Sequence, residues 1–218
     1  LFESLGVKEL FWSHKSIAVN KIGSVNLYPL PLYAVHTKNT SITKFTNIKD
    51  FESFLSKKKY LTSFVGNERH PKYLTNVRAR ICNEFRNKPN IIIKSRNEWH
   101  YKQEVYGKNI KKKVYKKLLG LITKQHSFRN KKYEKEYVEF LDKSIFSLCP
   151  SGTGCNTIRL WESISYLSIP IILSNTWHPP SDLSLWQNSC LLIDENIKMG
   201  DLYEILNSFV KDRNKLYE

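Results

Sequence analysis

A chain of 218 residues with 41% hydrophobic and 13% aromatic side chains can bury a core, which excludes an intrinsically disordered segment. Its 35 Lys+Arg against 20 Asp+Glu give a formal charge of +15. An anionic partner is therefore expected: nucleotide phosphates, nucleic acid or an anionic membrane surface. Cys82, Cys149, Cys155 and Cys190 form no CxxC pair and no ordinary zinc spacing, so they read as reduced thiols. No leader and no apolar run of membrane-spanning length is visible, and a cytoplasmic location is expected.

In chain order, residues 7–13 read as a strand, followed by a polar stretch. Residues 26–35, NLYPLPLYAV, carry Pro29 and Pro31 and suit an extended crossing segment better than a sheet interior. A short amphipathic helix is expected near 48–56. A regular alternation then begins. Residues 59–65 read as a strand closing at Gly66-Asn67. Pro71 suits the first turn of a helix running to about Phe85, with Leu74, Val77, Ile81 and Phe85 as its apolar stripe. Residues 91–94 form a short buried strand. Within 98–128, Val105, Ile110, Val114 and Leu118 hint at helix, interleaved with the basic run 108–117. A helix over 133–141, strand 145–149, helix 157–167, strands 169–173 and 190–193 and a helix over 199–216 complete the chain. Strands alternating with helices imply βαβ units and an α/β fold with a parallel sheet covered on both faces. Ligands of such sheets sit beyond the carboxyl ends of the strands. Gly66, Lys94, residues 150–154 and residues 174–177 all fall at such ends.

The turn 151–157, SGTGCNT, is the candidate phosphate loop. Ser151, Gly152 and Gly154 would bring backbone N–H groups to an anion at a helix N-terminus, and Asn156 or Thr157 would cap that helix. Both glycines are expected to permit positive φ. The spacing is neither a Walker A loop nor a GxGxxG fingerprint, and on its own it also fits an ordinary capped turn. Arg159 and Glu162 share one helical face. They read either as a surface ion pair or as a phosphate contact and an acceptor for a ribose diol. Gly66 could let a substrate approach the backbone, and Arg69 and His70 could hold a leaving group. Lys94 and Arg96 would extend the positive potential toward the same cleft. His14 and His36 are candidate general bases. Trp177 sits in a Pro-rich turn, where it could stack on a base or simply pack. No HxxxH, HExxH or DxD spacing occurs, so no metal site is expected. Asp142, Asp194 and Glu195 read as ordinary strand-end or helix-surface acids.

Residues 146–174, FSLCPSGTGCNTIRLWESISYLSIPIILS, resemble the signature of exostosin-like glycosyltransferases, family 47. In that family a Cys-Pro turn with glycines leads into an Arg-Leu-x-Glu helix and then a Pro-Ile-Ile or Pro-Val-Ile strand. KKYLTSFVGNERHP resembles the family's other recurring block, so the likeness spans roughly residues 57–195, and NLYPLPLYAV at 26–35 resembles the family's upstream segment. It implies the donor-binding, C-terminal half of a GT-B fold with two Rossmann-like domains. Residues 57–218 would form that domain, and residues 1–56 would be a short remnant of the acceptor side. It implies a nucleotide-sugar donor, normally a UDP-sugar, and a glycan, polysaccharide or lipid-linked acceptor. No cofactor or metal is required, and inverting displacement is the implied chemistry. Glu162 is carried over as the ribose contact and Arg159 as a phosphate contact, so Glu162→Ala is expected to abolish UDP binding. The alternatives are a nucleotide-sugar-binding remnant without turnover or a basic nucleic-acid-binding protein. Nucleic-acid binding is not expected, because the basic run carries no RNP, KH or helix-turn-helix signature; that run also suits an anionic membrane surface.

Overall fold

Residues 2–38, 45–96 and 131–217 are described by the computed structural model. The expected helix within 98–128 and the basic run 108–117 lie outside the described residues. The chain opens with a single 3-10 turn, Glu3–Leu5, and a small sheet of β1 (Glu9–Trp12), β2 (Lys21–Ile22) and β3 (Val25–Pro29). β3 is central, parallel to β1 and antiparallel to β2. Residues 26–35, expected to be extended throughout, thus begin inside a strand. Pro29 ends it, because proline has no N–H to continue a ladder. Helix α1 (Ile48–Leu55) starts where the Asn47 side chain accepts the Asp50 amide at 3.0 Å, and it buries Phe51 and Leu55, four residues apart.

The main sheet follows the expected alternation: β4 (Tyr60–Asn67), α2 (Val77–Phe85), β5 (Ile91–Arg96), α3 (131–143), β6 (Ser144–Pro150), α4 (Ile158–Ser165), β7 (Ile169–Leu173), α5 (Leu183–Ser189), β8 (Leu191–Ile193), α6 (Met199–Lys211) and α7 (Arg213–Tyr217). All five strands are parallel, in the order β5-β4-β6-β7-β8. The chain runs from β4 out to β5 and then back past β4 to β6. That reversal is a topological switch point, and the crevice above it is where doubly wound sheets bind ligands.

Phe64, Phe146, Leu148, Ile171 and Leu173 point from the strands into one core with Val77, Ile81 and Phe85 of α2 and Met199, Leu202 and Leu206 of α6. The opposite face holds Val65 with Tyr137, Leu141 and Tyr166, and Cys149 and Ile172 with Leu160, Trp177 and Trp186. Burying each such aliphatic or aromatic side chain contributes about 1.5–3 kcal/mol. The four cysteines are free thiols, all buried. Burial pushes Cys82 and Cys149 up to about 11 and Cys190 up to about 12.

Three boundaries differ from expectation. α2 begins at Val77 and not at Pro71, because residues 70–76 form a turn fixed by Tyr73 N–H to His70 C=O (3.0 Å) and Leu74 N–H to Gly152 C=O (2.9 Å). Leu74, placed in the apolar stripe by its spacing, is 54% exposed. α4 stops at Ser165, followed by Leu167 at φ 50°. The single helix over 199–216 is two helices, since Asp212 is extended and its carboxylate caps α7 by accepting the Lys215 amide at 3.1 Å.

Lys58 lies at the end of the sheet opposite the switch-point crevice. Its Nζ donates to the carbonyls of Asp142 (2.8 Å) and Tyr166 (3.1 Å), and burial holds its ammonium down at about 8. The unfolded chain, with an ordinary lysine near 10.4, binds that proton more tightly. Lys58 therefore adds stability as pH rises from about 8 to about 10.4. Urea unfolding of the native chain against Lys58→Met over this range should show the shallower rise in the variant.

Candidate active site at the switch point

β4 and β6 pair from Tyr60↔Ser144 to Ser63↔Ser147, whereas β4 stays on β5 as far as Asn67↔Arg96. Beyond Ser63 the neighbouring strands part. The Arg159 side chain enters the opening from α4. Its Nη2 donates to the Val65 carbonyl of β4, and its Nη1 to the Leu148 carbonyl of β6 at 3.4 Å. The guanidinium lies 4.6 Å from the Phe64 ring centre and 5.8 Å from that of Tyr137. Arg159 is 8% exposed and its Nε has no partner among the described residues.

A second guanidinium stands at the mouth. Arg78, in the first turn of α2, donates from Nε to the Ser151 carbonyl (2.7 Å) and from Nη2 to the Pro150 carbonyl (3.3 Å), with its plane over Tyr73 at 4.8 Å. Burial and the neighbouring Arg159 push Arg78 down to about 10, so it stays charged at neutral pH. Among the described residues neither arginine forms an ion pair with a carboxylate.

Gly66 and Gly152 line this pair. A Cβ on Gly66 would lie 3.0 Å from Arg159 Nη2, and one on Gly152 would lie 2.7 Å from Arg78 Nη2. Neither Gly152 nor Gly154 adopts positive φ, contrary to expectation. The turn needs glycine for room, not for handedness. It is closed by Gly152 N–H to Gly154 C=O at 3.0 Å, and a Cβ on Gly154 would collide with the His14 ring. His14 thus sits on the same turn as Arg78. Its Nδ1 is buried without a partner among the described residues, and burial holds the imidazole below its ordinary value, hence neutral at pH 7.

The remaining turn residues serve the protein's own structure. The Ser151 amide donates to Leu173 C=O at 3.0 Å. The Ser151 hydroxyl and that of Thr75 each donate to Glu195 Oε2 at 3.0 Å. Glu195, expected to be an ordinary strand-end acid, is a buried carboxylate tying three loops together. Thr157 occupies the N-cap position without a side-chain cap, and Asn156 does not cap either. Asn156 Oδ1 accepts from the Thr157 amide and from Trp161 Nε1, while its Nδ2 donates to the Ser13 carbonyl at 2.9 Å.

Glu162 faces protein donors and not the crevice. It is 3% exposed; Oε1 accepts from the amides of Val35 (3.3 Å) and His36 (3.0 Å), and Oε2 from the Tyr137 hydroxyl (2.5 Å). It makes no ion pair with Arg159 among the described residues, so the surface-pair reading fails too. The His36 ring meets Glu134 at 3.3 Å and the edge of Tyr137. Arg69 is a surface residue beside Glu68 at 3.3 Å. Lys94 is exposed on β5, and Arg96 is held by Glu136 at 2.8 Å. Trp177 is packed edge-on against Trp186 with ring centres 5.0 Å apart.

The structure therefore brings together Gly66, Gly152, Gly154, Arg159 and His14, adds Arg78, and leaves Arg69, Lys94, Arg96 and His36 aside. Arg78 escaped the sequence reading because a helix begun at Pro71 puts it in mid-helix; the true start puts it in a first turn facing the crevice. No group of three His, Cys, Asp or Glu side chains suited to a metal ion occurs among the described residues.

The profile of the Exostosin GT47 domain matches residues 49–209. Exostosin-1c of Danio rerio is 37% identical over 70 residues, which is 31% of this chain and 10% of that protein. Exostosin-1 of Bos taurus and of Mus musculus are each 33% identical over 70 residues, 31% of this chain and 9% of theirs. The matched stretch thus spans about a tenth of the length of these relatives.

The Glu162 geometry makes a direct prediction. Glu162→Ala strands the buried Tyr137 hydroxyl and removes the acceptor of the partly buried Val35 and His36 amides, and should lower unfolding free energy by about 2 kcal/mol, read by chemical denaturation. Loss of ligand binding in that variant would accordingly not identify a ribose contact.

Proposed function

The chain belongs to the exostosin GT47 family, and on that premise we propose that the Arg78–Arg159 crevice binds the diphosphate of a nucleotide sugar, most simply a UDP-sugar. The family indicates a glycosyltransferase. One observation carries the assignment of the crevice: two adjacent guanidiniums at the switch point with no carboxylate to neutralise them among the described residues. Burying unpaired charge is costly, and an anion seated there offsets that cost. The Arg159 Nε without a partner among the described residues supports the same reading, as do Gly66 and Gly152, where a Cβ would press on the Arg159 and Arg78 guanidiniums.

In this proposal the bond between the anomeric carbon and the phosphate oxygen breaks, leaving its electron pair on the diphosphate. Arg78 and Arg159 stabilise the charge that develops there. A glycan or polysaccharide hydroxyl attacks the opposite face of the anomeric carbon, which inverts it, and surrenders its proton to a base. His14 supplies a neutral imidazole on the same turn. No metal enters the scheme.

Calorimetric titration with UDP tests the assignment. Saturable binding to the native chain is expected, weakened at least about tenfold in Arg78→Met, as for loss of a charge-assisted hydrogen bond. Equal affinity in a folded Arg78→Met variant, or no UDP binding by the folded native chain, would refute it.

A further inference from the structure

Residues 13–20 are fastened to the rim of the crevice by a polar cluster that the chemistry above does not use. Asn156 Nδ2 holds the Ser13 carbonyl, and the Cys155 thiol approaches the His14 and Lys15 carbonyls at 3.4 and 3.2 Å. Ser16 forms an antiparallel bridge with Trp177, and the Ile17 amide donates to Thr176 C=O at 3.0 Å. At the centre lies Lys15, 3% exposed and without a carboxylate partner among the described residues. Its ammonium donates to Asn20 Oδ1 (2.9 Å), to Ser16 C=O (3.3 Å) and to His178 Nδ1 (2.6 Å).

An ammonium has no acceptor to offer, so His178 Nδ1 must present a bare lone pair and the imidazole must be neutral. A proton on Nδ1 would set two donors and two positive charges 2.6 Å apart in a partly buried place. The acceptor that Lys15 needs would vanish in the same step. The titratable groups around the pair are the Cys155 thiol and, next along the chain, His14. Neither is an acid that could absorb the added charge.

We propose that Lys15 and His178 form a proton-sensitive catch that positions His14 on the glycine turn, closed while His178 is neutral and opened when His178 is protonated. The catch rests on the reading above for its use, since seating His14 matters if the turn holds a donor. Its existence does not depend on any nucleotide. Burial and Lys15 both hold the docked His178 below its ordinary value. The released histidine titrates near about 6.5, so the released state binds the proton more tightly. Docking therefore weakens as pH falls below about 6.5 and is complete above it.

Hydrogen exchange of the full chain at about pH 7.5 and about pH 5, corrected for the chemical exchange rate and without nucleotide, reads the catch directly. Protection of residues 13–20 should fall at least tenfold in acid while β4 and β6 keep theirs. His178→Gln, which offers Lys15 a carbonyl acceptor at every pH, should abolish the acid step. Lys15→Met, which removes the buried charge, should abolish it as well. A purely structural role would loosen the segment equally at both pH values. The proposal is overturned by unchanged protection of 13–20 in acid, by an acid step that survives in both variants, or by simultaneous loss of protection in β4 and β6. A failed UDP titration would leave all these outcomes readable.

Discussion

The parting of β4 and β6 beyond Ser63 governs the molecule. Two parallel strands that separate leave carbonyls facing each other without amides between them, and a buried carbonyl without a donor is costly. Arg159 answers this by donating to Val65 on one side and Leu148 on the other. The guanidinium suits the place because it is planar, spreads its charge and rests on the Phe64 face. What carbonyl dipoles and a ring cannot supply is a full negative charge. Arg78 repeats the pattern one layer outward on the Pro150 and Ser151 carbonyls. The fold thus solves a backbone problem with cations, and the excess charge left in the crevice is the basis of the anion site proposed there.

The N-terminal residues belong to this arrangement from two directions. Residues 13–20 lie along the glycine turn and the Trp177 turn. Residues 35–38 cross the back of α3 and α4, where the Val35 and His36 amides end on Glu162 and Lys38 meets Asp142 at 2.9 Å. Arg159 and Glu162, three residues apart on α4, are thereby divided in task. One fills the sheet opening; the other anchors the irregular segment that passes over the helices. Tyr137 touches both, with its hydroxyl on Glu162 and its ring near Arg159, and its proton is firmly retained.

Much of the fold was legible because burial on both faces leaves a plain signature. Runs such as residues 145–149 and 169–173 are apolar without alternation and are bounded by turns, as strands of a parallel sheet must be. The Arg-Leu-x-Glu helix and its glycine turn were legible too, and the family profile covers them. Legibility failed where long-range contacts decide. Leu74 fits a helical stripe by spacing, but its amide goes to Gly152, far along the chain. Glu195 looked like a surface acid because nothing local reveals that Thr75 and Ser151 converge on it. Arg69, Lys94 and Arg96 sit at the correct strand ends, yet strand position fixes only where a Cα lies. The charge of the side chain went to the nearest carboxylate or to solvent.

The buried thiols carry a consequence of a different kind. With their protons held well above the ordinary range, Cys82, Cys149 and Cys190 present almost no thiolate at neutral pH, and Cys155 is shifted the same way beneath the His14 and Lys15 carbonyls. An electrophile in solution meets these sulfurs only when the element covering them lifts away. The four positions lie on α2, on β6, in the glycine turn and at the end of α5. Alkylation counted site by site would therefore serve as an intrinsic clock for breathing at four places in the fold, with no substitution made in the chain.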